Sequence, residues 1–592
     1  MDFQQLTKVF EKLEGTTKRL ELTDDLAKLF SDASTDEVRV LAYLCQGIIE
    51  PEHTGLELGM GDKLCQQAIA LAAGSKEKEI VALYRKTGDL GEVAMQLLEK
   101  KSQHTLGTPQ GITVKKAYDN FYKIATASGE GSQQQKIRML AELLNNSTPV
   151  EGKMITRFVT GNLRLGIAEA TILDALSVAR AGDKSLRSEL ERAFNLRNDL
   201  GAVAELFLSK GIGEIRKITP QPFSPIRPAL AERLENATAI IEKLGECAVE
   251  AKIDGFRLQV HKKGSEVKIF SRRQEPMTHM FPDLVEAVRK QVKAKEAIFE
   301  GEAIAFNQET GEFLSFQATI QRKRKHGVAA KSKELPLKLF AFELLYKDGQ
   351  DYTNTPYRER RKLLEKMVSS KEINKAIEPS KLIYCHSASK LEEFFDQCVS
   401  TGLEGIIAKD LSAPYTAGAR KFAWIKLKRS YSGGLADTID AVIIGYYLGK
   451  GKRTEFGFGG ILTAVYDAEE NRFRSIAKVG TGFTEEEMTQ FKKMLDKLKV
   501  KEKPSNVETV LEPDVWVRPQ VVVTLTADEI TRSPVHACAV GKLKDHGKEG
   551  LALRFPRLTQ LREDRSASDA TSEQEIIEMF EMQGRIREGN AS

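Results

Sequence analysis

The spacing of apolar residues divides the chain into three parts, and the first part is helical. In the opening segment Phe3, Leu6, Phe10 and Leu13 recur at the three- and four-residue spacing of one helix face. The same spacing returns in the segments 36–49, 78–88, 90–101, 114–125 and 168–182. Several segments stop at glycine, the usual residue just beyond a helix end. The pattern predicts an all-helical domain over residues 1–215.

The pattern changes at a proline-rich segment. Residues 218–230 contain four prolines in thirteen positions, which indicates a linker or a rigid entry into a new domain. Alternating residues at 247–264 and 265–275 then predict a hairpin that turns at Lys263 and Gly264. Further strands and helices are predicted at 297–306, 336–346, 358–368, 391–400, 402–410 and 422–429. This mixture predicts an α+β domain over residues 216–429, with a cleft between its sheets.

The last part of the chain has the pattern of short strands. They are predicted at 440–449, 459–467, 472–483, 521–530 and 550–557, with one helix at 485–498. About five short strands with one helix in roughly 130 residues are typical of a small, partly open β-barrel of the OB type. A final helix is predicted to begin after Ser572, which Glu575 would help to cap. The third domain is therefore predicted over residues 430–592.

Composition limits the class of protein. The 592 residues carry a net charge of +5, too small for overall charge to indicate a nucleic-acid partner. The six cysteines are scattered without a CxxC pair, which argues against a zinc ribbon or disulfide framework and indicates a reducing compartment. The chain has no secretory h-region and no run of about 18 apolar residues, so we expect a cytoplasmic protein without a membrane segment.

The segment 250–257, EAKIDGFR, carries the first candidate chemistry. On a strand, Glu250, Lys252 and Asp254 share one face, and Gly255 then allows a turn or a close approach to a ligand. Lysine is a poor nucleophile at its ordinary pKa of about 10.4, so burial or neighbouring cations would have to lower that pKa. The alternative is a surface strand with mixed charges, and the downstream segments decide between the two.

Two later segments supply further cations. In WIKLK, Trp424, Lys426 and Lys428 fall on one face of a strand. Two neighbouring lysines on a half-buried strand repel each other unless an anion lies between them, and a triphosphate is one such anion. Lys409 of EGIIAKD could join them and lower the pKa of Lys252, with Glu404 placed in the turn before that strand.

Other segments could bind the rest of a nucleotide. Glu300 and Glu302 share one strand face and could take ribose hydroxyls or a Mg²⁺ with its waters. Phe340 and Phe342 alternate onto one face, where the alternatives are core packing and stacking on a base. Arg272 follows the predicted hairpin, where an exposed arginine is usually only solvated.

The order of these motifs resembles a known family. KIDG, FSRRQEPMT, EGEAIAF, FAFELLY, EGIIAKD and WIKLK occur in the order and rough spacing of the covalent nucleotidyltransferases. More narrowly, the chain resembles the ATP-dependent DNA ligases of the archaeal and eukaryotic replicative type. GNLRLGIAEATI resembles their helical DNA-binding domain, and LALRFPRLTQLRED resembles the last motif of their OB domain.

The resemblance implies a three-step reaction and assigns roles to residues. Lys252 would attack the α-phosphate of ATP, pass AMP to the 5′-phosphate of a nick, and the 3′-hydroxyl would then displace AMP. Glu250 would read the adenine amino group, Phe342 would stack on the base, and Asp254 would orient Lys252. The remaining implied nucleotide contacts are Arg257, Arg272, Glu302, Lys409, Arg420, Lys426 and Lys428. Glu302 and Glu404 are the implied metal ligands.

DNA contacts are predicted in the helical domain, and a further nucleotidyltransferase motif is implied in the OB domain. Arg157, Asn162 and Arg164 lie around a helix boundary, where basic groups and free backbone N–H groups suit a phosphate backbone. The OB motif is implied to use Arg557, Arg562, Asp564 and Arg565. It departs from the family pattern at Arg565, where lysine is usual, and at Gln560, where a basic residue is common. Arginine is a planar fork, so its placement against pyrophosphate could differ from that of lysine.

The resemblance also implies cofactors and partners. They are ATP with Mg²⁺ (or Mn²⁺), nicked duplex DNA, and a sliding clamp, although no clear clamp-binding peptide is present. We expect a monomer that associates with the nucleoid. Use of ADP or NAD besides ATP stays open. Competing hypotheses are an RNA ligase or GTP-using capping enzyme, against which the helical first domain counts, and a DNA-binding scaffold with an inert fold. The NAD-dependent ligases are disfavoured because the chain lacks a four-cysteine zinc module.

Overall fold

The chain is described from a computed structural model. It describes residues 1–102, 111–234, 236–307, 313–314, 318–319, 321–324, 327–368, 376–401, 403–428, 438–449, 453, 455–468, 470–543, 549–563 and 565–589. The chain forms two compact units, Met1–Leu391 with Ile406–Lys426, and Glu392–Gly405 with Leu427–Ser592. None of the described helices is long and apolar enough to cross a membrane.

The N-terminal third consists of helices, which confirms the prediction from apolar spacing. They are α1 (Phe3–Glu14), α2 (Arg19–Asp32), α3 (Thr35–Gln46), α4 (Asp62–Ala73), α5 (Glu77–Thr87), α6 (Leu90–Ser102), α7 (Val114–Thr126), α8 (Ser132–Asn145), α9 (Pro149–Val159), α10 (Glu169–Ala181), α11 (Arg187–Arg197), α12 (Leu200–Lys210) and α13 (Ile212–Arg216). In α1, Phe3, Leu6 and Phe10 are buried, so this helix belongs to the core.

Helices α6 and α9 pack closely because glycines lie at their contact. A Cβ on Gly152 would lie 2.4 Å from Cδ1 of Leu98, and a Cβ on Gly91 would lie 2.8 Å from the carbonyl oxygen of Lys153. The start of α9 is fixed by a capping box between Thr148 and Glu151. This packing fixes the position of the loop that follows α9.

The middle of the chain mixes strands and helices, as predicted. The strands are β1 (Leu230–Arg233), β2 (Cys247–Lys252), β3 (Phe256–Lys263), β4 (Glu266–Ser271), β5 (Glu296–Ala305), β6 (Leu337–Lys347), β7 (Gln350–Asp351), β8 (Ile377–Pro379), β9 (Leu382–Cys385), β10 (Gly405–Asp410) and β11 (Arg420–Lys428). The helices are α14 (Ala237–Leu244), α15 (Pro282–Gln291), α16 (Val328–Glu334), α17 (Tyr357–Val368) and α18 (Ala388–Ser400).

These strands form two sheets. The first has the order β1-β11-β10-β2-β9, and the second has the order β4-β3-β5-β6-β7, with β8 paired to β6. Strands β3 and β4 form the predicted hairpin, with Lys263 opposite Glu266. Strands β2 and β3 follow each other in the chain but lie in different sheets. The segment between them therefore crosses from one sheet to the other.

The C-terminal part is a β domain, and its described residues include two further helices. Its strands are β12 (Ile439–Tyr447), β13 (Gly460–Asp467), β14 (Arg472–Val479), β15 (Lys499–Val500), β16 (Val507–Glu508), β17 (Val515–Val517), β18 (Val522–Thr526), β19 (Glu529–Ser533), β20 (Gly550–Arg554) and β21 (Arg557–Arg562). The helices are α19 (Glu485–Asp496) and α20 (Glu573–Gly589). The main sheet runs β15-β17-β12-β13-β14-β16, and β18 joins β12 to β21. This arrangement is compatible with an OB fold.

Candidate active site

Lys252 lies where the chain passes between the two sheets. It is the last residue of β2, and β3 begins four residues later at Phe256. The turn requires glycine at position 255, because a Cβ there would lie 2.2 Å from the carbonyl oxygen of Ala303. Lys252 and Asp254 are partly exposed and Ile253 is buried, as a period of two predicts, but Glu250, which was predicted to share their face, is buried. The side chains of the KIDG motif therefore open at the junction of the sheets.

Glu302 anchors this turn from the second sheet. Its Oε1 accepts a hydrogen bond of 3.1 Å from the backbone N–H of Gly255. Burial raises the pKa of Glu302 to about 7, although the neighbouring charges of Lys252 and Arg257 oppose the shift. The charge of Asp254 adds to the rise of this pKa. A carboxyl group beside the candidate nucleophile can thus change its protonation near neutral pH.

Arg257 carries an unused donor into the same region. Its Nη2 donates to Oε2 of Glu300 at 2.8 Å, and its Nη1 donates to the carbonyl oxygen of Ala229 at 2.8 Å. Its buried Nε has no acceptor among the described residues. Burial alone would lower the pKa of Arg257, but Glu300 holds it above the ordinary value. A ligand oxygen would satisfy the remaining N–H.

The carboxylate of Glu300 is fully used by protein donors, whereas the side chain of Glu302 is partly exposed. The carboxylate of Glu300 is buried and also accepts hydrogen bonds from Tyr415 at 2.9 Å and Gln259 at 3.3 Å. The sequence left open which of the two glutamates faces a ligand. The structure favours Glu302.

Glu250 and Lys409 form a buried ion pair. The Nζ of Lys409 lies 3.1 Å from Oε2 of Glu250 and donates to the carbonyl oxygen of Phe342 at 2.9 Å. It also lies over the ring of Trp424, 4.3 Å from the centroid. Burial lowers the pKa of Lys409, and Glu250 opposes that shift.

The structure shows a contact of Lys409 that the sequence did not predict. We expected it beside Lys426 and Lys428 as a phosphate-binding cation that lowers the pKa of Lys252, and that role stays a prediction. Its ammonium is held by Glu250 and by the backbone of Phe342, the two residues implied to contact the base. Alternation along a strand predicts the face of a side chain, but not the element that packs against that face.

Phe342 presents a ring beside these cations. It is partly buried, with the Arg257 guanidinium 5.5 Å and the Lys409 ammonium 5.0 Å from its centroid. Trp424 meets it edge-to-face, with centroids 6.0 Å apart. Phe340 instead packs against Phe313, with centroids 5.4 Å apart. Of the two predicted rings, Phe342 is the one near the charged groups.

The remaining nucleotide candidates lie on β11 and in turns. Lys426 and Lys428 are both partly exposed, and Lys428 forms an ion pair with Glu404. Glu404 therefore supplies an anion for Lys428. Arg272 is exposed in the turn after β4. The side chain of Arg420 lies outside the described residues.

Comparisons with known proteins agree with this arrangement. Three family models match in order: the DNA ligase N terminus over residues 2–177, the ATP dependent DNA ligase domain over 228–428, and the ATP dependent DNA ligase C terminal region over 454–565. A probable DNA ligase of Dictyoglomus turgidum is 48% identical over 98% of this chain and 97% of its own length. The chain belongs to the ATP-dependent DNA ligase family. Members of this family seal nicks through an adenylate intermediate.

Other relatives extend the comparison. The DNA ligase of Sulfurisphaera tokodaii is 42% identical over 99% of both chains. The solved structure named Pmar-Lig_PreS3 is similar to this ligase with a TM-score of 0.56 over 94% of this chain and 99% of its own. At 16% identity that likeness concerns the fold alone.

In the helical domain of this ligase, the prediction for Arg157 needs correction. Its side chain is 2% exposed, so it cannot touch a phosphate. The guanidinium is paired with Asp89 at 2.6 Å and with Glu14 at 2.8 Å. A buried cation needs such partners, and the bonded pair holds helix α9 against the loop before α6.

The other two predicted DNA contacts are exposed in the loop after α9. Asn162 and Arg164 alternate with the buried residues Leu163 and Leu165. Arg164 has a φ of +58°, and its Nη1 lies 3.2 Å from Oδ2 of Asp89. A non-glycine residue in this conformation stores strain, which is common at ligand-binding loops.

In the C-terminal domain, one buried acid holds the predicted arginines. Oδ2 of Asp440 lies 3.3 Å from Nη1 of Arg562 and 2.9 Å from Nη1 of Arg565. Arg557 is exposed and lies 3.7 Å from Asp528. Asp564 lies outside the described residues.

Sequence reasoning missed several residues of these sites. Tyr357 and Arg361 contact Glu250 from helix α17, which the pattern identifies only as a helix. Phe555 is 60% exposed, with a φ of +52°, in the turn between β20 and β21. The charged run RERR at 358–361 was the one sequence feature that could have indicated the role of Tyr357 and Arg361. Such a run is also typical of a solvated helix.

Proposed function

We propose that this chain joins DNA nicks with Lys252 as its nucleophile. The Nζ of Lys252 attacks the α-phosphorus of ATP, a P–N bond forms, and pyrophosphate leaves. The 5′-phosphate of the nick then attacks the same phosphorus, which frees Lys252 and produces a DNA-adenylate. Finally the 3′-hydroxyl attacks the 5′-phosphate, AMP leaves, and the strand is closed. In-line positioning and compensation of the developing charge provide the catalysis.

One observation carries this proposal. Lys252 lies at the junction of the two sheets, with Glu302 bonded to the turn that presents it. Close by, Arg257 has an unsatisfied buried N–H, and Phe342 offers a partly buried ring. A nucleophile, an oxygen-binding donor and a stacking surface at one place suit a nucleotide. The proposed further contacts to its phosphates are Arg272, Arg420, Lys426 and Lys428, with Asp254 orienting Lys252.

The carboxylates fit a Mg²⁺ ion. Among the described residues no group of three or more histidine, cysteine or acidic side chains surrounds a common point. Mg²⁺ is often held by only one or two carboxylates together with water and substrate phosphates. We therefore propose Glu302 and Glu404 as its ligands, and when bound the ion would compensate negative charge on the phosphate oxygens. Mn²⁺ could replace it.

The DNA contacts are proposed for exposed groups in both outer domains. In the helical domain these are Asn162 and Arg164, and in the C-terminal domain they are Arg557 and Phe555. An exposed aromatic ring on a strained backbone is suited to stacking on a nick terminus. Because phosphate contacts release counterions, the affinity for nicked duplex DNA should fall steeply as salt rises. Arg562, Asp564 and Arg565 are proposed to contact the pyrophosphate of ATP.

The covalent step can be tested without DNA. The protein is incubated with Mg²⁺ and ATP labelled at the α-phosphate, and label retained after denaturation is measured. We expect label on the wild type and none on Lys252→Ala. Lys263→Ala is the control, since this lysine is 61% exposed at the end of β3 and should leave labelling unchanged. Label from GTP or NAD but not from ATP would overturn the nucleotide, and no label from any nucleotide would favour an inert scaffold.

The later steps need a nicked duplex. Adding nicked DNA with a 5′-phosphate should remove the label from the protein and release AMP. A duplex whose nick lacks the 5′-phosphate is the matched control and should leave the label in place. Transfer to both duplexes would contradict nick sealing.

The remaining properties follow from this function as proposals. We propose a cytoplasmic, nucleoid-associated monomer with a sliding clamp as a partner. The domain limits proposed from the sequence remain 1–215, 216–429 and 430–592.

A further inference from the structure

The carboxylate of Glu250 is held by three donors. Its Oε1 accepts hydrogen bonds from the hydroxyl of Tyr357 and from Nη1 of Arg361, the latter at 3.1 Å. Its Oε2 lies 3.1 Å from the Nζ of Lys409. All four residues are less than 4% exposed. Three side-chain donors thus fix the position of one buried carboxylate.

The three donors limit which ligand group can bind to Glu250. A carboxylate provides about four acceptor directions, two on each oxygen. Among the described residues the contacts of Glu250 use two directions at Oε1 and one at Oε2. The direction that remains at Oε2 accepts a donor. A ligand that places a carbonyl oxygen there would meet a negative charge without a proton between them, which is unfavourable.

Tyr357 and Arg361 are themselves fixed from behind. Arg361 donates to the hydroxyl of Ser380 at 2.8 Å, to its carbonyl oxygen at 2.6 Å, and to Glu365 at 2.7 Å. The backbone N–H of Tyr357 donates to the carbonyl oxygen of Ala413 at 3.1 Å. Both side chains therefore donate to Glu250 from a helix that is itself bonded to Ser380 and Ala413. They can prevent its rotation when a ligand arrives.

We propose that Tyr357 and Arg361 are positioning residues that set the base selectivity of the nucleotide site. They hold Glu250 so that its open acceptor direction meets a 6-amino group, as in adenine, and rejects a 6-carbonyl group, as in guanine. This inference rests on the proposed function and on the role that the family resemblance implies for Glu250, which is to read the adenine amino group. It assigns the selectivity to side chains that do not touch the nucleotide.

The test uses single-atom changes in the protein and in the nucleotide. Lysyl-adenylate formation is measured for the wild type and Tyr357→Phe with ATP, with GTP and with purine riboside triphosphate, which lacks the 6-amino group. Loss of one hydrogen bond at an ionised group should lower kcat/KM for ATP by about 3- to 10-fold. With purine riboside triphosphate the change should stay within about twofold, because no amino group is present to be misaligned. Discrimination against GTP should fall as well.

Tyr346→Phe is the matched control. Tyr346 is also buried, and its hydroxyl donates to Glu296 at 2.8 Å at the far end of β6. Both variants remove one hydroxyl from a carboxylate in the same domain, so similar changes in Tm are expected. Only Tyr357→Phe should change the ratio of kcat/KM for ATP to that for purine riboside triphosphate. Arg361→Lys, which keeps the charge but loses the fork, should change the ratio in the same direction.

The outcomes separate the two proposals. If the wild type forms no covalent adduct with any nucleotide, the proposed function fails. If the wild type reacts but Tyr357→Phe loses activity equally with ATP and purine riboside triphosphate, or loses none, the positioning role fails and the proposed function stands. A change of ratio in Tyr346→Phe of the same size would also overturn the positioning role.

Discussion

Replacing Asp440 with asparagine should slow the first chemical step without slowing the last. Asp440 lies on β12, and its Oδ2 faces both Arg562 and Arg565, at 3.3 and 2.9 Å. The hydroxyl of Thr524 donates to Oδ1 at 2.5 Å and fixes the carboxylate. If the two arginines contact pyrophosphate, they act only while pyrophosphate leaves. Their orientation therefore matters for adenylation of the protein and not for closure of an adenylated nick.

The size of the effect follows from the exposure of the partners. The Asp440 side chain is 8% exposed, Arg562 is 21% exposed and Arg565 is 41% exposed. A sheltered hydrogen bond between charged groups contributes about 1.5–3 kcal/mol, whereas an exposed ion pair contributes about 0.2–1 kcal/mol. The side-chain oxygen of asparagine can still accept a hydrogen bond from Arg562, so only part of this interaction is lost. We expect the free energy that orients the two arginines to fall by about 1–2 kcal/mol. This corresponds to a rate of protein adenylation about 5- to 30-fold lower.

Two assays with the Asp440→Asn protein distinguish this effect from damage to the fold. Single-turnover labelling with ATP measures the first step, and sealing of a chemically pre-adenylated nick bypasses it. We expect the first rate to fall and the second to match the wild type. Equal losses in both assays, or an unchanged rate of labelling, would refute the reasoning. Thr524→Val is a useful companion variant, because it loosens the carboxylate without removing its charge and should give a smaller effect on labelling.

Three further predictions concern Glu302, Asp89 and Gly255. Burial raises the pKa of Glu302 to about 7, so its carboxyl is protonated at lower pH, and Mg²⁺-dependent labelling should fall as the pH drops below about 7. The same shift makes the free energy of unfolding decrease as pH rises from about 4.5 to about 7, and Glu302→Gln should remove that limb of a denaturation–pH profile. Asp89→Asn should weaken binding of nicked DNA about 3- to 10-fold in a fluorescence titration, because Arg164 loses its anchor, while labelling without DNA stays unchanged. Gly255→Ala should abolish labelling, because its Cβ would lie 2.2 Å from the carbonyl oxygen of Ala303; a circular dichroism spectrum should remain that of the folded protein.

The sequence predicts side chains well where one element decides their direction. A period of two correctly predicts that Lys252, at the end of β2, is more exposed than the following Ile253, but not that Glu250 is buried. The cap of the final helix is likewise local, and Glu575 donates its backbone N–H to Ser572 at 3.2 Å. Such features depend on residues a few positions apart, so the period of the pattern is sufficient to predict them.

The sequence fails where a second element decides the role. Arg157 has the composition of a phosphate contact, yet close packing of α6 on α9 buries it beside Asp89. Lys409 is buried on β10, where Glu250 on the neighbouring strand β2 pairs with its ammonium. Tyr357 lies 107 positions from the residue that it contacts. No periodicity encodes partners that are so distant in the chain.

Three buried carboxylates each hold two cationic side chains in position. Asp89, Glu250 and Asp440 are all buried, and each lies between two cations. Their cations are Arg157 with Arg164, Arg361 with Lys409, and Arg562 with Arg565. Desolvation offsets much of the attraction in a buried ion pair, so these groups are weak sources of stability. A single acid between two cations instead fixes the spacing of both side chains. We infer that these acids are retained for this spacing, since sites that recognise phosphates or a base edge, as proposed for all three, need it before the ligand arrives.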